Sequence, residues 1–584
     1  MKDFLKFTLA TVVGIILSSI VIFFIGAIIL FGVVASADTE VKVKPNSIMF
    51  LDLNGTLEER TKDNPLKQFF GEELSTYGLD DILSSIKKAK ENDDIKGIYI
   101  QAKMLGASYA SLQEIRNALV DFKKSGKFIV AYSDNYTQKL YYLSSVADKV
   151  LLNPKGVIEW KGIAAEPMFY KDLLEKVGVE MQIFRVGTYK SAVEPFIATE
   201  MSPANREQVT EYIGSIWNQV LTDVSVSRKI SKDSLNACAD RMLMFYPSEQ
   251  SVKCGLADKL IYKSDVRDYL KTLVKIDKDE DLSVLSLDDM INVKRNVPKD
   301  KSGNAIAVYY AFGGIDEATD EGIISEKVIK DLRELRENKE IKAVVLRVNS
   351  PGGSAFGSEQ IWNEVKALKK EKTVVVSMGD YAASGGYYIS CAADCIVAEP
   401  TTLTGSIGIF GMIPNVKGLT DKVGLKFDVV KTNKFSDLGA LGRGLNSDEK
   451  SLIQMMINEG YDTFLTRCSD GRKMSKQAIG KIAEGRVWTG EKAKKIGLVD
   501  ELGGIDKAIE IAAKKAKIKD YTVLSYPEKE EFFESLFKEK PTHYIESRLI
   551  ESNFGEFYKG FSMIKDVQKL DYVQARVPFD INIK

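Results

Sequence analysis

The sequence predicts an α/β protein whose fold occurs twice, led by an apolar N-terminal segment. Three observations carry this. The chain is similar to itself at a constant spacing of 246 residues, short β-rich apolar runs alternate with amphipathic stretches, and Phe7 to Ala37 carries no charge. Self-similarity is the strongest of the three, because a period of this size marks whole domains rather than small repeats.

In chain order, residues 1–6 (MKDFLK) form a short tail and residues 7–37 the uncharged run. About 20 apolar residues suffice to cross a bilayer, so this run is expected to be a single transmembrane anchor. Ala35-Ser36-Ala37 resembles a signal-peptidase site, but a cleavable signal has an apolar region of only about 7 to 15 residues, which favours an uncleaved anchor. Lys2 and Lys6 precede the run and Asp38 and Glu40 follow it, an asymmetry that predicts a cytoplasmic N-terminus and an exported body.

The first half is expected over 38–292 and the second over 305–518, joined by the polar stretch VKRNVPKDKSGN at 293–304. DIKGIYIQ (94–101) aligns with EIKAVVLR (340–347), and YYLSSVADKVLLNP (141–154) with YYISCAADCIVAEP (387–400); the register holds without a gap from Ile95 to Ser191. IMFLDLNG (48–55) resembles IAVYYAFGG (306–314), and CGLADKL (254–260) resembles IGLVDEL (496–502). Runs such as AVVLRV and TVVVSM are apolar on both faces, as buried parallel strands are. SEQIWNEVKALKK sets Ile361, Val365 and Leu368 on one helical face. Strands alternating with helices predict βαβ units in each half. Residues 519–584 are more charged and aromatic, and are expected to be a helical or irregular extension.

Composition narrows the function. The 81 basic and 82 acidic residues nearly cancel, so no overall field recommends nucleic acid as a partner. Five cysteines, odd in number and without C-x-x-C spacing, signal neither a disulfide framework nor a zinc site. There is one histidine, His543, outside the duplicated region.

That scarcity matters for GDYAASGGYYISCAAD (379–394), where Ser384 stands between two alanines and two glycines. A serine hydroxyl is a weak nucleophile until a base removes its proton. A Ser-His-Asp triad does not suit a chain whose only histidine lies in its tail, but a lysine can serve if burial lowers its pKa from about 10.4 toward 7 or 8. The duplication supplies an internal control. Gln138 lies opposite Ser384 and Lys139 opposite Gly385, whereas Lys190 in GTYKSA lies opposite Ser436. Each half carries one candidate group and lacks the other, as expected if one site is assembled from both. A solvated loop lysine is the competing reading of Lys190.

NSPGGSAFGSEQ (349–360) follows an apolar run, and the backbone amide of Gly352 or Gly353, with that of Gly385, could hold an oxyanion. The alternative is a tight strand-to-helix turn without a ligand. GSIGIFG (405–411), with Ser406, reads either as a glycine-lined bend or as a backbone wall for an extended peptide.

Together NSPGG, SGGYYISCAAD, TGSIGI and GTYKSA resemble the signal peptide peptidase A family, also called protease IV, in its long tandem-domain bacterial form. The resemblance implies a ClpP-like, crotonase-like fold in each half and a Ser/Lys dyad. Ser384 matches the nucleophile and Lys190 the general base; Ser406 matches a hydroxyl that orients the lysine, and Gly353 and Gly385 match the oxyanion donors. It also implies a homotetramer at the inner membrane, catalytic domains outside the cytoplasm, residual signal peptides as substrates, and no metal or nucleotide cofactor. Two other readings stand beside it: a crotonase-type acyl-CoA enzyme on the same fold, and a catalytically silent membrane scaffold.

Overall fold

The runs that are apolar on both faces become the central strands of two sheets. The structure, a computed structural model, describes residues 6–8, 11, 13–21, 24, 40–61, 75–295, 300, 302–317, 322–529 and 573–576. In the first half the strand order is Ser75–Gly78, Ser47–Glu58, Ile95–Gly106, Phe128–Tyr136, Lys149–Ile158 and Lys259–Leu260, all parallel. In the second half Leu403–Gly405, Thr373–Ala383, Ile341–Ser350, Ala305–Phe312 and Thr522–Tyr526 run parallel, and Val487–Thr489 is antiparallel at one edge. Ile341–Ser350 is buried along most of its length, as a strand covered on both faces must be.

Helices cover these sheets. In Ala355–Glu371 the Ser354 side chain accepts the amide of Gly357 as an N-cap, and Ile361, Val365 and Leu368 are fully buried, as their spacing predicts. The duplication is preserved in element lengths. Pro203–Arg228 and Ser447–Arg472 each have 26 residues, and Lys263–Val274 and Ile505–Ala516 each have 12.

The expectation for residues 519–584 needs correcting. Thr522–Tyr526 is a strand on Ala305–Phe312, in the place that Val284–Leu285 takes on Ser47–Glu58. The repeated unit therefore runs past 518, and its last strand escapes notice because its side chains are largely exposed and its counterpart is two residues long. Val573–Arg576 is also a strand. His543 and most of this segment lie outside the described residues.

A third, antiparallel sheet joins the halves, in the order Gly352–Ser354, Val573–Arg576, Phe410–Asn415 and Glu180–Arg185. Polar contacts join them as well. Arg347, buried in the second half, donates to Glu59 (2.9 Å) and Glu114 (2.7 Å) of the first. Asp380 accepts from Ser108 and Ser111 at the start of the helix Tyr109–Lys123.

The expected anchor at 7–37 and the linker at 293–304 lie largely or partly outside the described residues. The described residues of the run 7–37 are helical and expose Phe7, Ile15, Leu17 and Phe24. No helix among the described residues is long and apolar enough to cross a membrane.

Candidate active site

Thr373–Ala383 ends in two buried alanines and passes directly into Ser384, which has φ 55° and ψ −112°. A non-glycine residue at positive φ costs on the order of 1–3 kcal/mol and persists only where its surroundings enforce it. Here the Ser384 amide donates to the Gly405 carbonyl (2.8 Å), and the Ser384 carbonyl accepts the amide of Tyr388 (2.8 Å) in the helix that follows. Packing requires the next two glycines. A Cβ on Gly385 would lie 2.7 Å from Ser358 Oγ, and one on Gly386 would lie 2.7 Å from the Ser350 carbonyl oxygen.

Lys190 arrives from the other half, on the loop after Glu180–Arg185. Its Nζ lies 2.8 Å from Ser384 Oγ, 3.1 Å from Ser406 Oγ and 3.2 Å from the Ser406 carbonyl oxygen. All three residues are fully buried. Burial alone drives the Lys190 amine well below the usual lysine range. A neutral amine has two N–H donors and one lone pair. The Ser406 oxygens can take the donors, leaving the lone pair to accept the Ser384 hydroxyl proton.

The loop is clamped from both halves. The Tyr189 amide donates to the Glu484 carbonyl (3.0 Å), and Gln208 donates to the Tyr189 carbonyl (3.0 Å) and to Ser191 Oγ (2.9 Å). Gly485, at φ 77°, lies against the lysine backbone: a Cβ there would be 2.7 Å from Lys190 Cα. On Gly408 a Cβ would be 3.3 Å from Lys190 Cδ. Sequence reasoning missed Gly485 and Gln208, and singled out the GSIGIFG segment without the contact that its Gly408 makes with the lysine. Their roles depend on tertiary contact with a loop almost 300 positions from Gly485, and no spacing marks them.

Gly353 lies in the strand Gly352–Ser354 beside the serine turn, and Gly385 opens the helix after it. Gly352, like Gly353, has no room for a side chain. At φ 105° it occupies the left-handed region, and a Cβ on it would lie 2.8 Å from the Gly385 nitrogen, over the amide that an oxyanion would need.

The corresponding place in the first half is plugged. Gln138 Oε1 accepts the amides of Lys161 and Gly162 (2.9 Å each), and its Nε2 donates to the Gly162 carbonyl and the Tyr109 hydroxyl (2.9 Å each). Ser436, the counterpart of Lys190, is exposed.

A serine on a strained strand-to-helix turn, facing a dehydrated lysine, can carry out acyl transfer. The class agrees with the comparisons: residues 315–399 match the Clp protease family, and residues 121–277 and 366–519 match Peptidase family S49 in two copies. Protease 4 of Salmonella typhi is 39% identical over 492 residues, covering 81% of this chain and 79% of that protein. Protease 4 of Haemophilus influenzae is 36% identical over 486 residues, covering 79% and 78%. Serine protease SPPA, chloroplastic, of Arabidopsis thaliana is 32% identical over 485 residues, covering 82% and 70%. The chain belongs to peptidase family S49, in the tandem-domain form of signal peptide peptidase A, and is a serine-type peptidase with a ClpP-like α/β fold.

Proposed function

We propose that Ser384 and Lys190 are the nucleophile and general base of a membrane-anchored endopeptidase that degrades hydrophobic peptides, residual signal peptides among them. The observation that carries this reading is the fully buried Lys190 amine 2.8 Å from Ser384 Oγ. Ser384 Oγ attacks the peptide carbonyl carbon as its proton passes to Lys190 Nζ. The backbone amides of Gly353 and Gly385 hold the oxyanion, and Ser406 keeps the amine aimed at the serine. Lys190 then protonates the leaving amine, and water, deprotonated by the same lysine, hydrolyses the acyl-enzyme.

The uncharged run 7–37 supports a single-pass anchor in the inner membrane, and the charge asymmetry around it supports an N-terminus in the cytoplasm and catalytic domains outside it. Anchoring would concentrate enzyme and hydrophobic peptide on one surface. Kinship with signal peptide peptidase A supports assembly as a homotetramer.

The test is hydrolysis of a fluorogenic hydrophobic peptide by the detergent-solubilised chain. Ser384→Ala and Lys190→Ala are each expected to lose at least about 10³-fold in kcat, with the double variant no worse than the singles. Labelling by a fluorophosphonate should map to Ser384. Undiminished turnover in either single variant would overturn the dyad. Extraction of the chain from membranes by alkaline carbonate, without detergent, would overturn the anchor.

A further inference from the structure

The helix Gly385–Ser390, which carries the proposed oxyanion amide at its start, ends on Cys391. The long helix Ser447–Arg472 packs against that end so closely that a Cβ on Gly471 would lie 2.0 Å from the Cys391 carbonyl oxygen. Cys468 is one turn before Gly471 on the same face, and its thiol meets that of Cys391. Both cysteines are fully buried in the core of the second half and are unbridged in this structure. Cys395 is no rival, because it packs beside Val375 and Val397 in a separate cluster.

The first half shows what this junction needs. Ser145 stands opposite Cys391, and its hydroxyl donates to the Tyr142 carbonyl (2.8 Å) as the Cys391 thiol donates to that of Tyr388 (3.2 Å). Arg116 ties this helix end to the long helix Pro203–Arg228: it donates to Ser145 Oγ (3.1 Å), to the Asp223 carbonyl (2.8 Å) and to Ser227 Oγ. In the matching 26-residue helices Ser227 takes the place of Gly471, and Val224 that of Cys468. Trp362 stands where Arg116 does and cannot make this bridge. Two thiols face each other across the junction instead.

We propose that Cys391 and Cys468 are the site of a disulfide that staples the helix behind Ser384 to Ser447–Arg472, in the place of the Arg116 tie. The oxidant is a small-molecule or protein disulfide, of the kind found outside the cytoplasm, where the proposed anchor would hold both halves. One cysteine, as its thiolate, attacks a sulfur of that disulfide, forming a mixed disulfide and releasing one thiol of the oxidant. The thiolate of the other then attacks the cysteine sulfur of the mixed disulfide, closing the Cys391–Cys468 bond and releasing the second thiol. Two electrons pass to the oxidant, and the two cysteine protons leave on its thiols. Burial pushes the Cys468 thiol well above its ordinary range, which places the exchange before Ser447–Arg472 has closed on Cys391. The bond closes the segment 391–468, which holds Ser406 and the exposed Val429 and Val430. Cross-linking a long segment restricts the unfolded chain, so the part of the fold that bears Ser384 resists unfolding.

The test treats the full-length chain in detergent with oxidised glutathione, in urea just below the unfolding transition, then alkylates the remaining thiols and maps peptides without reduction. A peptide pair linked through Cys391 and Cys468 is expected, with Cys395 alkylated. After removal of urea the oxidised chain should melt at least about 5 °C above the same chain reduced with dithiothreitol. The double variant Cys391→Ser, Cys468→Val copies the residues of the first half, so it is expected to fold and to lose this difference. Alkylation of both Cys391 and Cys468 after oxidation overturns the proposal, as does a bridge made only between Cys238 and Cys254, which also meet. A bridge that leaves melting unchanged, or a redox difference undiminished in the double variant, overturns the stapling role. Peptide turnover on the same samples tests the dyad separately, because the bridge needs neither Ser384 nor Lys190 to form.

Discussion

A lysine removed from water becomes a base because its charged form is no longer solvated, and Lys190 shows what this does to stability. The unfolded chain keeps an ordinary lysine, titrating near 10.4, whereas the folded pKa is pushed well below that by burial. Between the two values the unfolded state binds more protons, so stability falls as pH drops from about 10 toward the folded value. Lys190→Met is therefore expected to be inactive yet to melt at a higher temperature than wild type near neutral pH, with the gap widening as pH falls; thermal scans across pH check this. In the proposed mechanism activity has the same origin. kcat/KM is expected to decline toward acid pH as the amine becomes protonated, and Ser406→Ala, which loses the 3.1 Å contact, should lower kcat by roughly 10-fold or more with little change in KM. That Ser384 and Lys190 would meet was legible from the lack of a suitable histidine and from complementary loss between the halves. The glycine that seats the lysine was not legible, because Gly485 matters only through a backbone it meets in space.

At the scale of elements, parallel strands announced themselves because burial on both faces forces continuous apolar runs. Thr522–Tyr526 did not: it is an edge strand whose side chains are mostly exposed, so its composition resembles a loop. The third sheet was equally silent, since Glu180–Arg185 and Phe410–Asn415 pair across more than 200 residues and neither half contains the sheet alone. This sheet and the turn at Gly485 fix where Lys190 points. Gly485→Ala places a Cβ 2.7 Å from Lys190 Cα and forces an unfavourable φ. It is expected to lower kcat by at least about 10-fold while costing roughly 1–3 kcal/mol, read by peptide turnover and by urea denaturation.

Across the whole molecule, the halves are joined through buried charge. Arg347 is 1% exposed and bridges Glu59 and Glu114, so Arg347→Ala leaves two carboxylates without their cation and should cost about 3–5 kcal/mol in urea denaturation. Glu399, buried beside Asn117, is pushed up to about 8 by burial and, to a lesser degree, by the nearby Glu114. Its folded pKa lies above the unfolded value, so its stabilising contribution is complete below about pH 4.5 and is lost as pH rises through 8. Glu399→Gln should therefore match wild type near pH 4 and exceed it in melting temperature at pH 9. The interlocking of the halves also bears on when the enzyme can act. Lys190 is synthesised long before Ser384, Ser406 and Gly485, and until those residues close over it the amine stays hydrated, protonated and unable to accept a proton. Under the proposed mechanism catalytic competence is thus a late event of folding, and a nascent or half-folded chain is spared attack by its own chemistry.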